Sequence, residues 1–354
     1  MKLVLLFLLL FFTSNVFCQK QNTSENKKIK TARKLAKKFL RKEKIAGMSI
    51  SVSQNGTIIW SEGFGYTNRK PKVKVIPEET LFRIASISKS ITALTLAKLV
   101  EDDIINLNQS IYTYLPDFPK KKYDFSVREL AGHLAGIRSY KGNEFNLNKK
   151  LSISEGVDLF KNDSLLFEPS TQFFYNTFGY VLLSDIMQKA SGENFINLVN
   201  QVVTEPLHMT NTILDASDVE IANKTNFYRN KRALSTPVSN EYKVAGGGFL
   251  STSEDLIKFG QEIIQPTLIS VKSLLEITTS QKLKSGNITG YGIGFSIDKT
   301  KNNTPKYYHT GGGVGASTII SIYPKENIVI CILTNTSGKS VQPLEEQFES
   351  IFID

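Results

Sequence analysis

Histidine, cysteine and tryptophan are scarce in this chain, at three, two and one in 354 residues. His133, His208 and His309 lie far apart, and no His-rich or Cys-rich spacing joins them. A zinc-dependent hydrolase is therefore excluded, and no metal or other cofactor is expected. Long apolar runs are also wanting: Lys2 is followed by Leu3 to Phe12 and then by small or polar residues. That run is much shorter than the roughly 20 residues a spanning helix needs. Residues 1–18 read instead as a secretory signal peptide cleaved before Gln19, which predicts an exported protein, periplasmic or secreted, with no stable membrane insertion afterwards. A lipidated Cys18 is the second reading, and the bulky Phe17 before it argues against that. Cleavage leaves Cys331 as the sole cysteine, so no internal disulfide forms. Its setting, Ile328-Val-Ile-Cys-Ile-Leu333, predicts an inert core thiol.

Charge is not scarce. The formal net charge is +10, concentrated in a lysine-rich segment from Lys20 to Lys44. No nucleic-acid motif accompanies it, and leucines and Phe39 recur there at helical spacing. A solvated helix face over 28–44 is expected, with no nucleic-acid partner. Two strands follow, Met48–Val52 and Thr57–Trp60, flanking Asn55-Gly56, a strong hairpin signal because both positions tolerate positive φ. Asn68 to Glu79 reads as a polar loop, and helices are expected over 88–102, 126–134, 153–161, 178–191 and 194–203. Strand signals return at Tyr291–Ile297, Ser317–Tyr323 and Ile328–Leu333, before a last helix over 341–353. The fold class is α+β: one antiparallel sheet built from both termini, flanked by N- and C-terminal helices, with a mainly helical region inserted. The sheet-bearing part is expected over 19–80 and 246–354, the insert over 81–245, with the active site at their interface.

Chemistry enters with Phe82-Arg-Ile-Ala-Ser-Ile-Ser-Lys-Ser90, between an extended segment and a helical one. Ser86 falls near a helix start, and Lys89, three residues on, shares its face. An amine beside a hydroxyl is what a serine nucleophile needs when no histidine serves as its base, and the helix N-terminus favours negative charge there. Ser24-Glu-Asn-Lys27 matches the same pattern in a polar stretch and is read as chance. Two more stretches accompany Ser86: Tyr175-Asn-Thr177 before a helix, and His309-Thr-Gly-Gly-Gly-Val-Gly315 before a buried strand. Glycines there let the backbone approach a ligand and aim N–H groups at it.

In this order the three stretches resemble the serine beta-lactamase and penicillin-binding-protein superfamily, in its class C-like branch. Phe82–Pro119, Ser126–Tyr140, Ala245–Asp255 and His309–Asn335 resemble mitochondrial serine beta-lactamase-like proteins of animals and their bacterial relatives, over roughly residues 30–340. The resemblance implies a nucleophilic Ser86, with Lys89 and Tyr175 as proton-transfer partners. It also implies that Thr177, His309, Thr310 and Gly311 line the cleft, and that the backbone N–H groups of Ser86 and Gly312 form an oxyanion hole. A lysine of ordinary pKa, about 10.4, cannot accept a proton at pH 7. Either Lys89 is desolvated enough to lose its charge, or it stays cationic and depresses Tyr175.

Thr177 stands where most relatives have asparagine, and His309 replaces a lysine common in true beta-lactamases. An imidazole mostly uncharged at neutral pH grips a carboxylate weakly. The expected function is a serine hydrolase acting through an acyl-enzyme on a small peptide or ester substrate, peptidase- or esterase-like, with weak beta-lactamase action at most. The alternative is a catalytically silent peptide-binding or scaffold member of the same fold. Elsewhere, His133 is expected to be a satisfied structural residue at a helix end, and His208 a surface residue in a turn where relatives carry glycine. Gly246-Gly-Gly-Phe-Leu-Ser251 is expected to pack before a helix opened by a capping box, Ser251-Thr-Ser-Glu254.

Overall fold

The computed structural model describes residues 26–353. The expected signal peptide and its cleavage point lie outside the described residues. The first helix, α1, covers 26–42. It leads into the hairpin of β1 (Gly47–Gln54) and β2 (Thr57–Arg69), joined where Asn55 and Gly56 take φ of 51° and 78°. β2 runs on well past Trp60, and β3 (Lys72–Lys74) pairs with its far end, so part of the expected loop is sheet. The short β4 (Phe82–Arg83) opens the helical region. There follow α2 (Ser88–Glu101), α3 (Val127–Ala131), α4 (Ile153–Asp158), α5 (Phe178–Ser191) and α6 (Phe195–Val199). β5 (Ile213–Leu214), α7 (Val244–Gly247) and β6 (Phe249–Ser251) come next, then α8 (Ser253–Ile264) and α9 (Val271–Thr278). The chain closes with β7 (Ser296–Lys299), β8 (Pro305–Gly313), β9 (Ala316–Tyr323), β10 (Ile328–Thr334) and α10 (Gln342–Phe352).

Seven strands form one antiparallel sheet in the order β3-β2-β1-β10-β9-β8-β7, so the N-terminal hairpin is zipped onto the C-terminal strands along β1 and β10. Alternation along a strand sends neighbouring side chains to opposite faces, and here both faces are covered. Met48, Ile50 and Val52 join Trp60, Phe348 and Phe352 under α1 and α10. On the other face Ser49 and Ser51 hydrogen-bond Ser253 of α8, at 2.7 and 2.8 Å. Cys331 is a free, fully buried thiol on that second face, and burial pushes its pKa up.

Several expected boundaries move, each for a local reason. α3 is capped by Ser126 and Glu129 as a capping box and stops at Ala131, because Gly132 follows and His133 takes a left-handed φ of 63°. The cap of α8 is Thr252, accepting from Asp255 N at 3.1 Å, one residue later than the Ser251 box. Tyr291–Ile297 is mostly not strand: Gly294, at φ 73°, turns the backbone so that its carbonyl accepts from Ser90 Oγ at 2.6 Å, and β7 begins only at Ser296. The third motif precedes the buried strand β9 as expected, and its first residues, His309 to Gly313, themselves form the end of a further strand, β8.

α2 is the axis of the helical region. Ser88 to Ala97 of α2 are all buried, and the short turn Ala85–Ile87 that leads into it lies against β8, next to the edge strand β7. Thr318 Oγ1 on β9 donates to Ile84 O at 2.9 Å and fixes that approach.

Candidate active site

Ser86 lies in a 3-10 turn, Ala85–Ile87, that runs directly into α2. Ala85 has φ 49°, a left-handed conformation that costs a non-glycine residue roughly 1–2 kcal/mol. The surroundings hold it there. A Cβ on Gly311 would come within 2.4 Å of Ile84 O and 2.1 Å of Thr318 Oγ1, so only glycine lets β8 press against the turn. This lifts the Ser86 side chain, half-buried, into a cleft between β8 and the helical region.

One turn along, Lys89 is fully buried. Its Nζ is 3.1 Å from Ser86 Oγ, 3.4 Å from Thr177 Oγ1 and 2.6 Å from Gly246 O. No carboxylate lies within 4.0 Å of it among the described residues. Burial without a counter-ion lowers its pKa from 10.5 to about 7. In the neutral form two N–H groups donate to Gly246 O and Thr177 Oγ1, and the nitrogen lone pair is left for the Ser86 hydroxyl.

Tyr175 exposes 39% of its surface, while its ring stands 4.9 Å from Lys89 Nζ. Burial of the phenol raises its pKa, only partly opposed by a hydrogen bond with Ser86. The loop is aimed by Asn176, whose Oδ1 accepts from Gly179 N at 2.6 Å and starts α5. Thr177 does not reach across the cleft; its hydroxyl faces Lys89, and its methyl fills the space that Gly246 leaves by lacking a Cβ.

His309 is buried rather than displayed on the cleft surface. Its Nδ1 donates to Thr310 O at 2.7 Å, so Nε2 is the acceptor for the Tyr291 hydroxyl at 3.0 Å. Burial and the nearby Lys89 lower its pKa to about 3, so the ring is uncharged. His133 is also buried, yet neither ring nitrogen has a hydrogen-bond partner, contrary to the satisfied role expected of it. Its ring packs 4.5 Å from Tyr175 and 4.9 Å from Tyr291, an aromatic backing for the phenol. Thr310 and Gly312 are exposed on β8, and Gly312 lines the cleft with Ser86. His208 is exposed at φ 53°, as its turn requires.

The Beta-lactamase family model matches residues 32–348. The chain belongs to the beta-lactamase family. Within it, the chain is 30% identical to human serine beta-lactamase-like protein LACTB, mitochondrial, over 84% of this chain and 71% of that one. Protein flp of Staphylococcus aureus is 26% identical, over 89% of this chain and 64% of its own. Among solved structures, the octameric penicillin-binding protein homologue from Pyrococcus abyssi superposes with TM-score 0.80 at 25% identity, covering 92% of this chain and 77% of that one. EstCE1, a hydrolase with promiscuous acyltransferase activity, shares the fold at TM-score 0.79 and 18% identity, covering 93% and 99%.

Some residues of this beta-lactamase-family site escape a motif reading. Gly246 O, the closest partner of Lys89, is a backbone atom. Tyr140 and Lys243 line the cleft without belonging to any of the three stretches, and Arg83 lines it from within the first, outside the Ser86–Lys89 spacing. A lysine three residues before Gly246-Gly-Gly was the only available signal for Lys243.

Proposed function

We propose that this chain is an exported serine hydrolase that cleaves an amide or ester bond through an acyl-enzyme. The observation that carries the reading is the buried, counter-ion-free Lys89 amine 3.1 Å from the Ser86 hydroxyl. A neutral amine at that distance is a base within hydrogen-bond reach of its proton. Of the two protonation schemes open from sequence, the lowered pKa of Lys89 and the raised pKa of Tyr175 support a neutral lysine and a protonated phenol at rest.

In the acylation step Ser86 Oγ attacks the substrate carbonyl carbon and its proton passes to the Lys89 lone pair. The carbonyl electron pair moves onto oxygen, which accepts hydrogen bonds from the N–H groups of Ser86 and Gly312. One such donor is worth about 3 kcal/mol in a transition state. Collapse of the intermediate re-forms the carbonyl and expels the alcohol or amine, which takes up a proton relayed from Lys89 through the Tyr175 hydroxyl. Water then attacks the acyl-serine by the reverse relay and releases the acid. His309 holds Tyr291 rather than substrate, and substrate enters at the seam between the sheet-bearing segments and the helical insert. Export rests on the Lys2 and Leu3–Phe12 pattern.

A fluorophosphonate probe is expected to label Ser86 stoichiometrically and to leave Ser86→Ala unlabelled, with ester turnover lost in the same variant. Labelling of another serine would reject the assignment. Equal turnover by both proteins would favour the silent scaffold.

A further inference from the structure

We propose that Arg83 and Lys243 form a carboxylate-binding subsite of the Ser86 cleft, so that the bond cleaved belongs to a substrate carrying a free carboxylate. The inference rests on the hydrolase reading above and gives it a substrate class.

Both side chains line the same cleft as Ser86 while remaining only 8% and 6% exposed. Cations so deeply withdrawn from water are costly unless an anion accompanies them. Arg83 has one: its Nε donates to Asp215 at 2.6 Å and its Nη1 to Val314 O at 2.9 Å, which ties the guanidinium to the turn that follows β8. That carboxylate is already shared, since Asp215 also accepts from Asn240 at 2.7 Å and pairs with Lys224 at 3.3 Å. Lys243 has no carboxylate within 4.0 Å among the described residues. Its one hydrogen-bond partner is Phe145 O at 3.1 Å, and the rings of Tyr140 and Phe145 lie 5.6 and 5.5 Å away.

The local count leaves a surplus. Three cations, Arg83, Lys224 and Lys243, face two carboxylates, Asp215 and Glu241, and Glu241 is turned toward Ser217, accepting from its backbone N at 2.7 Å. Burial, then Arg83, lowers Lys243 to about 8, which still leaves it mostly charged at pH 7. The third motif supplies no charge, because His309 is neutral. A carboxylate entering the cleft is the group that would neutralise the surplus, and an ammonium beside a guanidinium binds it with charge-assisted hydrogen bonds.

Two esters of the same leaving group test this: 4-nitrophenyl butyrate, and mono-4-nitrophenyl glutarate, which adds a terminal carboxylate. In the wild type kcat/KM is expected to favour the glutarate at least tenfold. In Lys243→Met the glutarate-to-butyrate ratio is expected to fall tenfold or more, and Lys243→Arg to restore it. Lys243→Gln replaces the methionine variant if the latter melts early. An unchanged ratio in Lys243→Met, or no preference in the wild type, overturns the subsite. Failure of the underlying reading looks different: both esters would be turned over equally by Ser86→Ala and wild type. If the wild type cleaves neither, calorimetry on Ser86→Ala with N-phenylglutaramate decides. Binding at least tenfold tighter than in Ser86→Ala/Lys243→Met supports the subsite, and equal or absent binding overturns it.

Discussion

Lys89 Nζ and Ser86 Oγ stand 3.1 Å apart on successive turns, and the lysine bonds to hydroxyls and a backbone carbonyl rather than to an acid. Burial alone brings its pKa to about 7, and that sets the pH at which the pair can work. For the free enzyme, kcat/KM on a neutral ester is expected to climb with pH through a midpoint near 7 and then level off. A profile flat between pH 6 and 8 would show that Lys89 does not gate the reaction.

The burial that lowers the pKa of Lys89 also costs stability. Below pH 10.4 the unfolded chain protonates Lys89, whereas the folded protein resists doing so down to about 7, so the unfolded state binds more protons across that window. Stability therefore rises with pH from about 7 to 10.4 on account of this group. Lys89→Met removes the burden: at pH 7 it is expected to raise unfolding free energy by about 3 kcal/mol and to cut ester turnover by about a thousandfold or more. Denaturant melts at pH 7 and pH 10 check it, since the gain over wild type should shrink at the higher pH.

Adjacent glycines on β8 should behave oppositely. Gly311→Ala drives a methyl into Thr318 Oγ1 and Ile84 O, at 2.1 and 2.4 Å, and is expected to cost about 2 kcal/mol or more while displacing the Ser86 turn. At Gly312 an added Cβ meets nothing within 4 Å. Gly312→Ala should melt like wild type yet turn over ester more slowly, because its methyl enters the cleft. Thermal melts that rank the two variants alike would count against this packing.

Acid is expected to unfold the protein through two uncharged histidines. His309 and His133 both have pKa values held down by burial, then by Lys89. Between about 6.5 and 3 the unfolded chain takes up a proton at His309 and the folded protein does not, so stability falls as pH drops, by about 1.4 kcal/mol per unit for that group, and His133, held down in the same direction, adds to the fall. His309→Gln should flatten the fall by one group's share. Parallel stability-versus-pH curves for the two proteins would refute the assignment.

That Ser86 and Lys89 stand side by side was legible in sequence because a three-residue spacing at a helix start is local geometry, whereas Tyr175 was joined to them only through the resemblance. The hairpin at Asn55-Gly56 was legible for a similar reason, as both residues adopt the positive φ that their types allow. β8 was not, since its glycines carry no strand signal and the pairing partner, β9, lies beyond them. Tyr291–Ile297 misled in the other direction: its apolar alternation is that of a strand, but Gly294 bends it onto α2. His309 was expected to line the cleft from the resemblance alone, and the way it faces is set by its register on β8, where one residue of slip reverses the answer. The Arg83–Lys243 pair is joined only by tertiary folding, across 160 residues of chain.

The zipping of β1 onto β10 also bears on how the protein is made. Ser86, Lys89 and Tyr175 all lie in the first half of the chain, whereas the strand that completes the cleft begins at Pro305 and the second partner of β1 only at Ile328. A ribosome thus releases every reactive side chain long before the wall they work against. Any product truncated ahead of Pro305 lacks β8, and with it the wall of the cleft that faces Ser86.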